Sequence, residues 1–356
     1  MDTDSILNAL RQVKYPGFSR DIVSFGLVKK TEVRGEAAVV ALAVAASAPE
    51  VPERIRAEVE AALLAAGFAR AEVSVAVSAP PPPPNAPAAA VAAPKPEPVA
   101  GVRRVIAIAS GKGGVGKSTF SVNIACALAQ LRGPDGEPLR VGLLDCDIHG
   151  PSIPLMMGLS GQPEIAGEMF TPPQNHGVKV MSLGFFIDED SPVIWRGPMI
   201  MKIIRQFATQ VAWGGLDVLV VDLPPGTGDA PLSLAQTVAL DGAVIVTTPQ
   251  AAAASVARRG AAMFPRMEIP LLGVAENMSW LAMPDGGRQE IFGGGGGKAA
   301  AEALGTEFLG QVPLDPNIRE GGDAGAPVVV TQPASESGAA FITIASRILE
   351  KILASA

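Results

Sequence analysis

Gly111-Lys112-Gly113-Gly114-Val115-Gly116-Lys117-Ser118 fits the spacing G-x-x-x-x-G-K-[ST], and Thr119 follows it. Residues of these types at this spacing bind phosphate. Glycines let backbone N–H groups approach phosphate oxygens, and a helix that starts at the loop turns its positive end towards them. Lys117 suits the β and γ phosphates, Ser118 a Mg²⁺ ion and Thr119 the α phosphate. The plainer alternative is a glycine-rich turn with a chance lysine. Context speaks against it: the apolar strand candidate Val105–Ala109 leads in, and the helical stretch 118–131 leads out. A second glycine run, Phe292 to Lys298, fails the same test. Phe292 stands where the first glycine belongs and Ala299 where the hydroxyl belongs, so it reads as a flexible loop before a helix.

Three more strand ends carry polar groups. Asp145 and Asp147, at i and i+2 where the strand Val141–Asp145 closes, point the same way. Ligands of open α/β sheets bind at such C-terminal strand ends. Asp145 suits the Mg²⁺ shell and Asp147 the orientation of an attacking water; two aspartates capping a turn is the other reading. The strand Val218–Asp222 runs into Leu-Pro-Pro-Gly-Thr-Gly-Asp229, a D-x-P-x-G pattern. There Asp222 holds Mg²⁺ through water, and the N–H of Gly226 follows the γ phosphate and moves after hydrolysis. Asp229 fits a helix cap as well as it fits chemistry. Asn277 closes Leu271–Glu276 with an amide that both donates and accepts, as an adenine edge requires; an ordinary turn asparagine is the alternative.

The elements that must position these groups follow from pattern. Short apolar strands at Val105–Ala109, Val141–Asp145, Val178–Leu183, Val218–Asp222, Ala243–Thr247, Leu271–Glu276 and Phe308–Val312 alternate with helices at 118–131, 199–210, 231–238, 251–265, 298–304 and 337–354. Continuous apolar strands between helices predict an α/β fold, a mostly parallel, doubly wound sheet covered on both faces. Residues 79–100, APPPPPNAPAAAVAAPKPEPVA, form a proline/alanine linker that neither packs nor forms helix. It divides a small module, 1–78, from a large one, 101–356. The small module reads α-β-β-α-β, with helices at Ser5–Val13 and Arg54–Ala66 and strands at Ile22–Val28, Ala37–Ala45 and Val73–Val77.

Composition narrows the class. The chain has 356 residues, 48% hydrophobic and 18% charged, enough for a large core and against global disorder. Its net charge of −7 disfavours a nucleic-acid partner. Two cysteines, Cys126 and Cys146, exclude a disulfide framework and any four-cysteine site from one chain. Met1–Leu10 is not a signal peptide, and no apolar run is long enough for stable membrane insertion, so the expected location is cytoplasmic.

The motifs SGKGGVGKST, LLDCDIHGPS, Trp195–Met199 (WRGPM), DLPPGTGD, Thr247–Gln250 (TTPQ) and ENMSW together resemble the Mrp/ApbC group of iron–sulfur cluster carrier ATPases, over essentially all of 101–356. Lys112 inside the loop resembles the deviant Walker A class of MinD, the arsenite pump ATPase and the nitrogenase iron protein. The 1–78 module is similar to the domain fused ahead of many bacterial carriers. The resemblance implies ATP and Mg²⁺ as cofactors, Asn277 on adenine, and a homodimer in which Lys112 reaches the partner's nucleotide. It also implies loading or transfer of clusters to apoproteins alongside assembly factors, with a bridging [4Fe–4S] cluster held by a Cys-x-x-Cys from each subunit. Here Met283 and Gly286 occupy those two cysteine positions, and no cluster ligand is assigned. Cys126 reads as core. Cys146, between the switch aspartates and towards the dimer face, gives at most half a ligand set. His149 and His176 show no metal spacing. The expectation is an Mg²⁺-dependent ATPase of the carrier group, with a cluster-free adaptor ATPase as runner-up. A MinD-like membrane-positioning ATPase is a further rival; Phe341–Ala356 is amphipathic, but with Arg347 and Lys351 as its only cations it reads as a docked helix.

Overall fold

The structure is a computed structural model that describes residues 3–13, 21–23, 27–35, 37–45, 50–78, 96, 98–147, 150–186, 197–226, 229–283 and 285–354. His149, Trp195, Arg196 and most of the Pro/Ala-rich stretch lie outside the described residues. The chain separates into two compact units, 1–91 and 92–356.

The small unit runs α1 Thr3–Leu10, β1 Val28–Arg34, β2 Ala37–Ala45, α2 Glu50–Ala65, β3 Arg70–Ser78. The sheet order is β1-β2-β3, with β1 antiparallel and β3 parallel to β2. A parallel neighbour requires a crossover, and α2 provides it. Ile55, Val59 and Leu63 recur every fourth residue along α2 and bury with Ile6 and Leu10 of α1 against Val40, Leu42 and Val73. One strand differs from its expectation at Ile22–Val28. Ile22 is buried, but the strand begins at Val28 and continues through Lys29-Lys-Thr-Glu-Val-Arg34. An edge strand tolerates charge on its open side, and that hid it from an apolar pattern.

The large unit opens with β4 Val102–Ser110, α3 Lys117–Gln130, β5 Val141–Asp145 and the short α4 Ile153–Met156. Two small hairpin strands, β6 Glu164–Ala166 and β7 Met169–Thr171, precede β8 Gln174–Asn175 and β9 Val178–Ser182. Then come α5 Gly197–Thr209, β10 Leu216–Asp222, α6 Asp229–Thr237, β11 Gly242–Thr247, α7 Ala251–Ala261, α8 Met263–Arg266 and β12 Leu271–Glu276. A second hairpin, β13 Leu281–Ala282 with β14 Arg288–Gln289, leads to α9 Gly296–Leu304, β15 Phe308–Gln311, α10 Pro316–Asp323, α11 Val328–Thr331 and α12 Glu336–Ala354. The main sheet has the order β15-β12-β11-β4-β10-β5-β9-β8, parallel except for the β8–β9 pair.

Strand β4 lies in the middle, where the chain passes first to one side and later to the other. Such a switch point opens a crevice at the strands' C-terminal ends, above β4. Helix α12 buries Phe341, Ile344, Ala345, Ile348 and Ile352 on one face, and Phe341 meets Phe120 of α3 with ring centroids 5.8 Å apart. The C-terminal amphipathic stretch is therefore a docked helix that backs the helix of the phosphate loop. Val99, expected in the unpacked linker, is only 4% exposed and belongs to the large core. No described helix is long and apolar enough to cross a membrane.

Candidate nucleotide site

The glycine-rich loop joins β4 to α3 as its spacing predicts. Gly114 and Gly116 have φ of 81° and 77°, the left-handed region that favours glycine, and Gly116 is the residue from which α3 starts. Gly111 is required for a different reason: a Cβ there would lie 2.4 Å from the carbonyl carbon of Val256 in α7. Around Gly113 and Gly114 there is open space. Lys112 is exposed on this open side. The loop is tied down from within, because the Ser110 hydroxyl donates to the Lys112 carbonyl at 3.0 Å.

Sheet register assembles the acidic half of the site. Asp222 of β10 pairs with Asp145 of β5, and Asp145 with Ser182 of β9, so the three stand side by side at the C-terminal edge. Lys117 Nζ donates to Asp222 Oδ2 at 2.6 Å, and the Ser118 hydroxyl donates to the same oxygen at 2.6 Å. The Ser121 hydroxyl, one turn along α3, donates to Asp222 Oδ1 at 2.6 Å. Asp145 accepts from the Ser182 hydroxyl at 2.8 Å and from the Asp147 backbone N–H at 3.0 Å. Lys117 is 5% exposed and Asp222 fully buried, so this is a buried ion pair with a second carboxylate beside it. Burial, together with the Asp222 charge, pushes the Asp145 carboxyl up to about 7. The oxygen-only set of Ser118, Asp222 and Asp145 fits a hard divalent cation such as Mg²⁺, which takes carboxylates and hydroxyls and keeps waters.

Asp145 thus acts as a turn acceptor as well as a strand-end carboxylate, while Asp147 is half-buried beyond it. Gly226 follows Asp222 at a φ of 105°, and its N–H donates to the Ser110 carbonyl at 3.0 Å. In this conformation Gly226 is tied to the base of the phosphate loop. The side chain of Asp229 lies outside the described residues.

Asn277 sits against the loop from the opposite side. One amide N–H donates to the Val115 carbonyl at 2.9 Å, and a Cβ on Gly116 would come within 2.4 Å of that nitrogen. A side-chain amide also offers a second donor and an acceptor, the pair that a base edge requires. It lines a cavity of about 340 Å³ that starts at Gly116 and Thr119 and runs between α4 and α10. Leu155 and Met156 form one wall, Ile318 and Gly322 the other, and Pro313, Leu314 and Asp315 the floor. An apolar slot with a few polar groups beside a phosphate loop suits a nucleoside.

Sequence reasoning missed Ser121, Ser182 and the cavity walls. Ser121 lies four residues after Lys117, on the same face of α3, and Ser182 ends a strand beside Asp145; those were the available signals. The second glycine run is more rigid in role than expected. Gly296 and Gly297 lie inside the first turn of α9, where a Cβ would strike the Pro249 carbonyl at 2.1 Å or the Glu276 Cβ at 2.7 Å. The Gly297 N–H donates to the buried Glu276 carboxylate at 2.6 Å, so these glycines serve close packing.

Both cysteines are fully buried. Burial pushes the Cys126 thiol up to about 12, and its sulfur lies 3.8 Å from that of Met157. The Cys146 thiol is raised well above its ordinary value, first by burial and then by the Asp145 and Asp222 charges. Cys146, expected nearer the dimer face, is fully buried within this chain. Met283 and Gly286 lie at the tip of the β13–β14 hairpin, where the Gly286 N–H donates to the Met283 carbonyl at 2.9 Å. Among the described residues no cluster of His, Cys, Asp and Glu has a metal-holding arrangement.

Comparison with known proteins matches this geometry. The family described as NUBPL iron-transfer P-loop NTPase covers residues 101–349, and the one described as iron-sulfur cluster assembly protein covers 3–76. The iron-sulfur cluster carrier protein of Synechocystis sp. is 44% identical over 99% of this chain and 98% of its own length. A nucleotide-binding protein from Archaeoglobus fulgidus, solved in complex with ADP, is 38% identical and aligns with a TM-score of 0.56 over 66% of this chain and 90% of its own. The septum site-determining protein MinD of Pyrococcus horikoshii, complexed with Mg-ADP, aligns at 0.52 with 20% identity, over 71% of this chain and 98% of its own; it shows likeness of fold.

Proposed function

Because the chain belongs to the iron–sulfur cluster carrier family of P-loop NTPases, we propose that it is an ATP-hydrolysing carrier that loads or passes iron–sulfur clusters to apoproteins. One observation carries this reading. Lys117, Ser118 and Asp222 converge under an open glycine loop, in a chain related along nearly its whole length to a curated carrier. On this reading the module 1–78, the linker 79–100 and the ATPase domain 101–356 are its working parts.

The reaction is attack of water on the γ phosphate. N–H groups of 113–116 cradle the phosphates, and Thr119 lies next to the α position. Lys117 leaves Asp222 to neutralise charge between the β and γ phosphates. Ser118, Asp222 and Asp145 would hold Mg²⁺, which would supply charge neutralisation for the phosphate oxygens. Asp147 orients the attacking water. Gly226 exchanges its bond to Ser110 for one to the γ phosphate, which makes the segment after β10 sensitive to hydrolysis. Asn277 pairs with adenine. Lys112, exposed at the loop's outer edge, reaches the nucleotide of a second copy in an ATP-closed homodimer.

The cluster is cargo, and this chain's thiols do not fit it. Iron in such clusters is held by thiolates, whereas both cysteines here are fully buried, and a thioether and a glycine occupy the hairpin tip. The cargo's thiolate ligands are therefore not supplied by these side chains. The test is anaerobic transfer: protein reconstituted with iron, sulfide and glutathione is mixed with an inactive [4Fe–4S] apoenzyme, with and without Mg·ATP. Activation faster than with glutathione-bound iron and sulfide alone supports the carrier reading, and equal rates refute it.

A further inference from the structure

Behind the base cavity, outside the site described above, the turn between β8 and β9 holds both cavity walls. Asn175, the last residue of β8, and His176, the first of the turn, do so by separate bonds. Asn175 Nδ2 donates to the Met157 carbonyl at 2.8 Å, just past α4. His176 Nε2 lies 2.8 Å from the Gly325 carbonyl, just past α10, and since a carbonyl only accepts, that nitrogen donates. The two residues are joined, as the His176 N–H donates to Asn175 Oδ1 at 2.9 Å.

The walls also touch directly below the cavity. A Cβ on Gly325 would fall 2.4 Å from the Gly158 Cα, and one on Gly158 would meet the Gly325 carbonyl at 3.0 Å. No side chain fits in this contact, so the distance between α4 and α10 is fixed at one end by backbone on backbone. The turn that spans it is itself in a rarely populated conformation. His176 has a φ of 50°, one of three described non-glycine residues with positive φ; another, Met278, lines the same cavity. Backbone held in this region persists where the surroundings over-determine it.

Neither Asn175 nor His176 lines the cavity or touches the phosphate loop. We propose that the Asn175–His176 turn is a positioning element that sets the gap between the walls of the base cavity, so that it governs affinity for the nucleoside part of the ligand and not for its phosphates. The inference rests on the nucleotide reading of the site above. Releasing one wall widens a slot that must grip a flat base from both sides, while the loop amides, Lys117 and Ser118 stay where β4, α3 and β10 hold them.

The experiment is calorimetric binding of Mg·ADP and of Mg·tripolyphosphate, a ligand with phosphates and no nucleoside, to the full chain. Wild type is compared with His176→Ala, Asn175→Ala and His176→Gln; glutamine keeps a donor at similar reach. Loss of one hydrogen bond corresponds to weakening of ADP binding by about five- to tenfold in the two alanine variants. Tripolyphosphate binding is expected to stay within about twofold, and His176→Gln to recover most of the ADP affinity. Equal losses for both ligands would show a general loosening of the domain and overturn the proposal, as would ADP affinity unchanged in both alanine variants. Wild type that binds ADP no more tightly than tripolyphosphate would instead remove the nucleoside reading of the cavity, and this inference with it.

Discussion

Asp222 is the most crowded side chain of the site, with Lys117, Ser118 and Ser121 donating to its two oxygens. Lys117 is also less expendable than its position in a loop motif predicts. It is buried, and replacing it by alanine leaves two neighbouring carboxylates without a cation. Breaking a buried pair costs about 3–5 kcal/mol, so Lys117→Ala is expected to lower the denaturation midpoint markedly in urea; a midpoint like wild type would contradict the ion pair. Asp145 gives a second handle. Its folded carboxyl, at about 7, lies above its ordinary 3.8, so over that interval the folded state keeps a proton that the unfolded chain releases. The stability from this group is fully present below the unfolded value and is lost as pH rises through the folded one. Melting without nucleotide or Mg²⁺ at pH 5 and pH 8 is expected to show a drop in wild type that Asp145→Asn largely removes. An identical drop in both would place the titration elsewhere.

At the scale of elements, the loop needs its glycines for different reasons. Gly111→Ala drives a methyl into the backbone of α7 and is expected to lower the melting temperature even without ligand. Gly113→Ala meets no atom within 4 Å and is expected to melt like wild type, while ADP binding weakens because the methyl stands where phosphate oxygens approach. Equal melting of the two variants would contradict the packing role of Gly111. Much of this was legible in sequence. The strands Val141–Asp145 and Leu271–Glu276 have the expected bounds, because buried parallel strands are apolar throughout and end abruptly at polar residues. The charged edge strand Val28–Arg34 and the short α4, α10 and α11 were not legible. Their places depend on tertiary contacts, such as the Gly158–Gly325 approach, that leave no periodic pattern. Ser121 and Ser182 were hidden for a related reason: a serine becomes a carboxylate's partner only through sheet register and helix docking.

At the scale of the whole molecule, the site is open on the side of Lys112. The proposed homodimer makes this lysine act on the partner's nucleotide. Light scattering with a slowly hydrolysed ATP analogue is expected to show the mass double in wild type and stay monomeric in Lys112→Ala, which should melt normally because the side chain is exposed. Doubling in both proteins would remove the cross-subunit role. The two units match separate families, and the similarity to the carrier from Synechocystis sp. runs through both.

The account depends most on nucleotide hydrolysis at the loop, and Ser118 offers the clearest access to it. Its hydroxyl is proposed as a Mg²⁺ ligand, yet Asp222 keeps Lys117 and Ser121 when it is removed, so the fold loses only about 1 kcal/mol. The measurement is steady-state phosphate release from saturating Mg·ATP by wild type and Ser118→Ala, with melting curves for both. The expected result is turnover in wild type, reduced by about a hundredfold or more in a variant that remains folded. Turnover absent from wild type, or equal in the two proteins, would contradict the account.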